Sequence, residues 1–192
     1  MFLETEKIGL RQLEREDLAQ ARDWRNQPEI RERTREYAPL NMLNQERWFE
    51  SLLDRANIMF AIVSRETSPP RLIGVCGLAH IDRQNRNAEF SYYIGDVESR
   101  GRGYGRHVAY LLFEYGFGEL GLHRIWGEVY GIAGDILEID KKLGFKVNGT
   151  LRETYFCKGK YWNSWIVSVL DSEWFAVRES YLAKESTVSK KA

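Results

Sequence analysis

The chain has little of what staples or anchors a protein. Its 192 residues include two cysteines, three histidines and four prolines. Cys76 and Cys157 lie in separate strand-like runs, without Cys-x-x-Cys spacing and away from clustered histidines, so neither a disulfide framework nor a metal site is expected. No apolar run reaches membrane-spanning length, and Met1 to Lys7 lacks the basic start and apolar core of a secretory leader, so a cytoplasmic protein without membrane partners is expected. An excess of one charge is missing too. The 28 Lys and Arg balance 28 Asp and Glu, which gives nucleic acid no global attraction. Any anion site must be local. No Gly-x-x-x-x-Gly-Lys-[Ser/Thr] loop occurs. Gly116-Phe117-Gly118-Glu119-Leu120-Gly121 matches G-x-G-x-x-G, but it follows a helical pattern instead of a strand and fails as a dinucleotide fingerprint.

What remains is a chain with 43% hydrophobic residues, enough for one domain over residues 1–183 with a polar tail over 184–192. Ile8 to Leu13 alternates as a strand. Asp17 is placed to cap a helix carrying Leu18, Ala21 and Trp24, and Asn44 precedes a second helical stripe of Trp48, Phe49, Leu52 and Leu53. Pro28 to Tyr37 suggests a short helix between them. Ile58 to Val63, Leu72 to Ile81 and Asn87 to Ile94 then read as an antiparallel meander.

Val108, Leu111, Leu112 and Tyr115 predict a helix that ends near Gly116 and Gly118. A strand at Arg124 to Val129 follows, then a short helix with a buried stripe of Ile136, Ile139 and Leu143, capped by Gly144. Lys146 to Phe156 and Tyr161 to Leu170 form a hairpin turning at Lys158-Gly159-Lys160, and Ser172 to Ala183 suggests a terminal helix. Asn148-Gly149-Thr150 fits a glycosylation pattern, although an Asn-Gly turn or bulge is the simpler reading.

Between the third meander strand and the next helix runs Arg100-Gly101-Arg102-Gly103-Tyr104-Gly105-Arg106. Glycines allow a tight turn and close approach, and amide N–H groups at a helix start attract an anion. Three arginines add charge. An ordinary glycine-rich loop is the competing reading.

The order of elements resembles the GNAT superfamily of acyl-coenzyme A-dependent N-acetyltransferases. Arg100, Gly103 and Gly105 fill that family's [Gln/Arg]-x-x-Gly-x-[Gly/Ala] signature, and Ala88 to Ile94, Leu122 to Ile125 and Lys142 to Phe145 are similar in order and spacing. Leu10-Arg11-x-Leu13 and Trp24-Arg25-Asn26-x-Pro28 resemble the branch with ribosomal-protein, polyamine and amino-sugar acetyltransferases. The resemblance implies an α/β (α+β) fold with a central, mixed but mostly antiparallel twisted sheet of about seven strands flanked by helices. It further implies acetyl-CoA as acetyl donor without a metal, with Tyr93, Ile94 and Gly95 beside the pantetheine arm and the amides from Gly101 to Arg106 on the pyrophosphate. Arg102 and Arg106 are candidate phosphate partners.

Acetyl transfer needs an amine stripped of its proton, and the resemblance places Glu89 and Glu128 on strands beside the cofactor cleft, at glutamate positions that some family members use, as candidate bases. A strand amide near Tyr93 or Ile94 is the candidate oxyanion donor. At the family's asparagine and tyrosine positions stand Ala133 and Asp140, which removes the usual thiolate acid and leaves Tyr130 or Tyr155 as replacements. Aromatic residues including Trp24, Tyr37, Trp48, Tyr155 and Trp162 are expected around the acceptor pocket. The acceptor is expected to be a small amine, an amino-sugar nucleotide ahead of a protein N-terminus or polyamine, with a phosphate patch near Arg25, Arg31 or Arg33. A catalytically silent acyl-CoA-binding module is the alternative of another class. The chain is expected to act as a monomer or homodimer.

Overall fold

The computed structural model describes residues 1–182, so the expected polar tail over 184–192 lies outside the described residues. The strands are β1 (Leu3–Glu4), β2 (Ile8–Gln12), β3 (Ile58–Ser64), β4 (Arg71–Asp82), β5 (Asn87–Ile94), β6 (Arg124–Tyr130), β7 (Lys146–Cys157) and β8 (Lys160–Leu170). The helices are α1 (Leu18–Asn26), α2 (Pro28–Arg31), α3 (Met42–Ser51), α4 (Tyr104–Phe113), α5 (Gly134–Leu143) and α6 (Asp171–Val177). All strands join one sheet in the order β1-β2-β3-β4-β5-β6-β8-β7. The count is eight instead of about seven because Leu3 and Glu4 pair with Leu10 and Gly9, a strand too short to show alternation.

Period-two alternation sends β3 and β4 side chains to two helical layers. Phe60, Ile62, Ile73 and Cys76 pack with α4, whereas Ala61 and Val75 pack with Leu18 and Ala21 of α1 and with the partly buried Trp48 and Phe49 of α3. Helix α4 buries Val108, Ala109, Leu111, Leu112 and Phe113. Each of the larger side chains among them contributes roughly 1.5–3 kcal/mol when fully buried. Beyond β6, Phe113, Phe145 and Trp174 join α4, the end of α5 and α6 in a second cluster.

Neighbouring strands are antiparallel except β5 and β6, which run parallel across the α4 crossover. Their pairing covers only Asn87 with Arg124, Ala88 with Ile125 and Glu89 with Trp126. From there β6 stays paired to β8 as far as Tyr130, while β5 stays with β4 as far as Ile94. The two strands part, and a wedge opens in the middle of the sheet.

Local details refine several boundaries. Asp17 does not cap α1; its carboxylate accepts from the Arg11 guanidinium at 2.7 Å and from the Glu14 N–H at 2.9 Å, closing a 3-10 turn before the helix. Asn41 caps α3, and Asn44 returns the bond in a reciprocal capping box. Helix α2 stops at Arg31, short of Tyr37. Gly116 and Gly118 do not end α4, because the chain widens into a π-helical turn over Glu114–Glu119. Gly116 is instead a packing glycine, since a Cβ there would lie 2.8 Å from Ile125 Cδ1. The terminal helix stops at Val177 and continues as a 3-10 turn. Lys158 and Gly159 take φ of 52° and 77°, the double left-handed conformation of a tight hairpin turn. Asn148 marks a bulge between Val147 and Gly149, and its side chain accepts from Ser168 Oγ at 2.7 Å.

Candidate active site

A cavity of about 420 Å³ occupies the wedge between β5 and β6. Alternation along β5 and β6 presents Glu89, Glu128 and Tyr130 on the same face. Glu89 and Glu128 are only 14% and 15% exposed, and the guanidinium of Arg35 bridges them at 2.8 Å and 3.2 Å. Burial works against the Arg35 charge, yet the hydrogen bond and attraction of Glu89 outweigh it and hold its pKa above the ordinary guanidinium value. The second oxygen of Glu128 accepts from Ser164 Oγ at 2.6 Å, and Ser164 meets Thr154 Oγ1 at 2.7 Å. His80 Nε2 stands 3.6 Å from Glu89. The two candidate bases therefore share one site, already holding a cation.

Tyr130 stacks on Tyr155 with ring centroids 4.3 Å apart, and the Tyr155 hydroxyl donates to Glu32 O at 3.2 Å. Burial pushes the Tyr130 phenol up to about 12, against the lowering effect of Arg35.

Asp140 lines the same cavity at 7% exposure, and its carboxyl makes no hydrogen bond or ion pair among the described residues. Burial raises its pKa to about 7. It occupies the buried stripe of α5 where Ile139 was expected; Ile139 is 37% exposed. A stripe drawn through apolar residues alone misses a buried acid at i+4 from Ile136. The position where the resemblance expects a tyrosine thus carries a buried acid.

At the outer end of the wedge, Gly101 and Gly103 adopt φ of 75° and 80°, left-handed values that favour glycine, and α4 begins at the next residue. No side chain caps this helix end, which leaves the Tyr104 and Gly105 N–H groups to an anion, whereas the Arg106 N–H expected to join them bonds Gly103 O at 3.0 Å. Gly95 N–H bonds Ile73 O at 2.9 Å, so strand alternation turns Ile94 toward the open side. A Cβ on Gly95 would lie 2.0 Å from Trp24, which explains glycine at this bend. The loop and the strand edge fit a pyrophosphate and an extended pantetheine arm.

A family model for the acetyltransferase (GNAT) domain matches residues 7–146. The chain belongs to the GNAT acetyltransferase family. It is 28% identical over 177 residues to an uncharacterised N-acetyltransferase, p20, of Bacillus licheniformis, with 90% of this chain and 97% of that protein covered. Spermidine N(1)-acetyltransferase of Vibrio cholerae is 28% identical over 170 residues, covering 88% and 95% of the two chains. The crystal structure of spermidine N-acetyltransferase from Vibrio cholerae in complex with CoA and spermine matches with a TM-score of 0.81 at 26% identity, over 89% of this chain and 99% of that one. A dodecameric structure of the Vibrio enzyme also matches, with a TM-score of 0.74 at 25% identity. This GNAT protein is therefore an acyl-CoA-dependent N-acetyltransferase. Its relatives are spermidine and uncharacterised N-acetyltransferases and do not single out a ribosomal-protein or amino-sugar branch.

Within the GNAT loop the arginines divide their work. Arg100 straps the end of β5, donating to Ile94 O at 3.0 Å, Gly95 O at 3.2 Å and Gln27 at 3.1 Å. Arg106 turns to the C-terminal segment, donating to Tyr181 O and stacking 4.2 Å over the Tyr181 ring. Its side chain is thus placed away from the phosphate role expected for it. Arg102 is exposed and makes no hydrogen bond or ion pair among the described residues. The Tyr104 side chain is buried toward Glu66 and Ser64, leaving its amide for the loop.

A second cavity, about 310 Å³, lies toward α1 and α3 and includes Arg25, Glu36, Gln45, Trp48, Met59 and Tyr93 in its lining. Arg25, Glu36 and Ser91 line both cavities. Of the aromatics expected around the acceptor, Trp48 lines this cavity, Trp24 is buried, Tyr37 is exposed and Trp162 packs under Lys160. Arg33 is paired with Asp135 at 2.8 Å, so it offers no unpaired phosphate patch. Gln45, buried on α3 and lining this cavity, is the functional candidate that the sequence pattern did not single out.

Proposed function

We propose that the protein transfers acetyl from acetyl-CoA to a primary amine of a linear polyamine by direct attack. The observation that carries this reading is the Glu89–Arg35–Glu128 bridge: two mostly buried carboxylates hold a cation inside the cleft, and a polyamine ammonium has the charge and donors to take that place. Relatives that acetylate spermidine support the polyamine class over the amino-sugar nucleotide. The pairing of Arg33 and Arg35 with carboxylates weighs the same way, because it removes cations that a nucleotide phosphate would use.

In this reading Glu89 takes the proton from the arriving ammonium, directly or through water, and Glu128 holds the amine in line. The free lone pair attacks the thioester carbonyl, whose developing charge is met by the Ile94 N–H. When the C–S bond breaks, sulfur takes the electron pair and the proton of Asp140, while the attacking nitrogen releases its surplus proton to water and becomes a neutral amide nitrogen. First-turn amides of α4, with Arg102, hold the pyrophosphate.

Purified protein should release thiol from acetyl-CoA when given spermidine or spermine, faster than with nucleotide amino sugars or N-terminal peptides. Thiol release only with a nucleotide sugar or peptide overturns the acceptor. Coenzyme A binding with no turnover on any amine overturns the enzyme reading in favour of a silent binding module.

A further inference from the structure

The 310 Å³ cavity is lined by two polar side chains without a hydrogen-bond partner among the described residues. Gln45 is 5% exposed, and its side-chain amide has no hydrogen-bond partner among the described residues. The Nε–H of Arg25 is buried and likewise without an acceptor. No carboxylate of the described residues pairs with the Arg25 guanidinium, whose Cζ lies 5.9 Å from the centroid of the Tyr93 ring. A buried donor without an acceptor is costly, and the Arg25 Nε–H with its fixed positive charge, in a cavity also lined by Gln45, asks for an anionic oxygen group. Glu36 lines the same cavity, its carboxylate accepting the Ala38 N–H at 3.3 Å, so a dianion would meet repulsion that a monoanion largely avoids. Trp48, Met59, Val75 and Pro39 supply apolar wall for a flat or aliphatic body.

We propose that this cavity is a binding site for a small monocarboxylate, held by Arg25 and Gln45 with its hydrocarbon part against Trp48. The carboxylate belongs either to a separate small molecule or to the far end of an acceptor amine. Because Arg25 lines both cavities, an anion beside it lowers the positive potential met by a cationic amine in the wedge.

The test is calorimetric titration of the full chain with benzoate at fixed ionic strength and without acetyl-CoA. Saturable one-to-one binding is expected, weakened at least about tenfold in Arg25→Gln and in Gln45→Leu, and unchanged in Arg33→Gln, which lies outside this cavity. Circular dichroism checks that each variant is folded, and Gln45→Leu carries the test if Arg25→Gln is not. Absence of saturable heat overturns the site, as does equal weakening in Arg33→Gln, which would mean general charge attraction. Kinetics then separate the sources. If spermidine turnover is unchanged or faster with benzoate bound, the carboxylate is a separate molecule; if benzoate competes and ω-aminohexanoate outpaces hexylamine, it is the acceptor's own end. Binding is read without turnover, so failure of the acetyltransfer reading would leave this result intact.

Discussion

Two cavities meet at Arg25 and treat charge in opposite ways. In the wedge the two glutamates are partnered: Arg35 joins Glu89 to Glu128, and Ser164 fills the remaining Glu128 oxygen. Across Arg25, the buried Nε–H of the guanidinium has none. The first site contains a stand-in for its ligand, whereas the second leaves its hydrogen-bonding capacity open. A site of the first kind must exchange one cation for another, so its affinity is a difference between two similar interactions. A site of the second kind gains the whole interaction.

The comparison breaks most visibly at the carboxylates. Glu89→Gln with Glu128→Gln should lower kcat/KM for spermidine by about 10³-fold, in the range of general-base loss. Glu89→Gln alone should account for most of it, because Glu128 is additionally tied to Ser164. A double variant with full activity and an unchanged pH profile would remove the wedge as the reacting site.

Asp140→Asn gives the next largest change, about tenfold in kcat, with loss of an alkaline limb near 7. The same variant has a stability signature. Asp140 ionises near 3.8 when unfolded and about 7 when folded, so the folded state binds the extra proton between these values and stability falls as pH rises through that window. The asparagine variant should therefore melt higher than wild type above pH 7, with the gap closing as the pH falls toward 3.8. A gap independent of pH would mean that Asp140 is not buried as a neutral acid.

Arg35→Gln sharpens the contrast with the smallest effect. Without the guanidinium the two carboxylates are left to the amine, so KM for spermidine should fall about threefold. An unchanged KM would mean that Arg35 does not compete with the acceptor.

The fold was legible because its signals are local. Alternation located seven of the eight strands, Lys158-Gly159 declared the hairpin, and Gly144 at φ 107° ended α5 as expected. Boundaries failed where tertiary contacts decided them: Glu114 to Glu119 stays helical because packing on Ile125 and Leu78 outweighs two glycines. The site was legible in part. Glu89 and Glu128 could be chosen from strand position, but Arg35 reaches them from 54 and 93 residues away in sequence. Asp140 and Gln45 were hidden for a related reason. Each sits on a helix face where residue type suggests solvent and only the assembled layers make a cavity.

The short register between β5 and β6 has a mechanical consequence. Three residue pairs join the strands preceding α4 to the strands that follow it. The sheet is thus two ribbons pinned at one end, and the seam between them is an unfilled strand position at the centre of the molecule. An extended chain that entered it would act as a splint, and amide exchange along Phe90 to Ile94 and Gly127 to Tyr130 should report how stiffly the two ribbons are held.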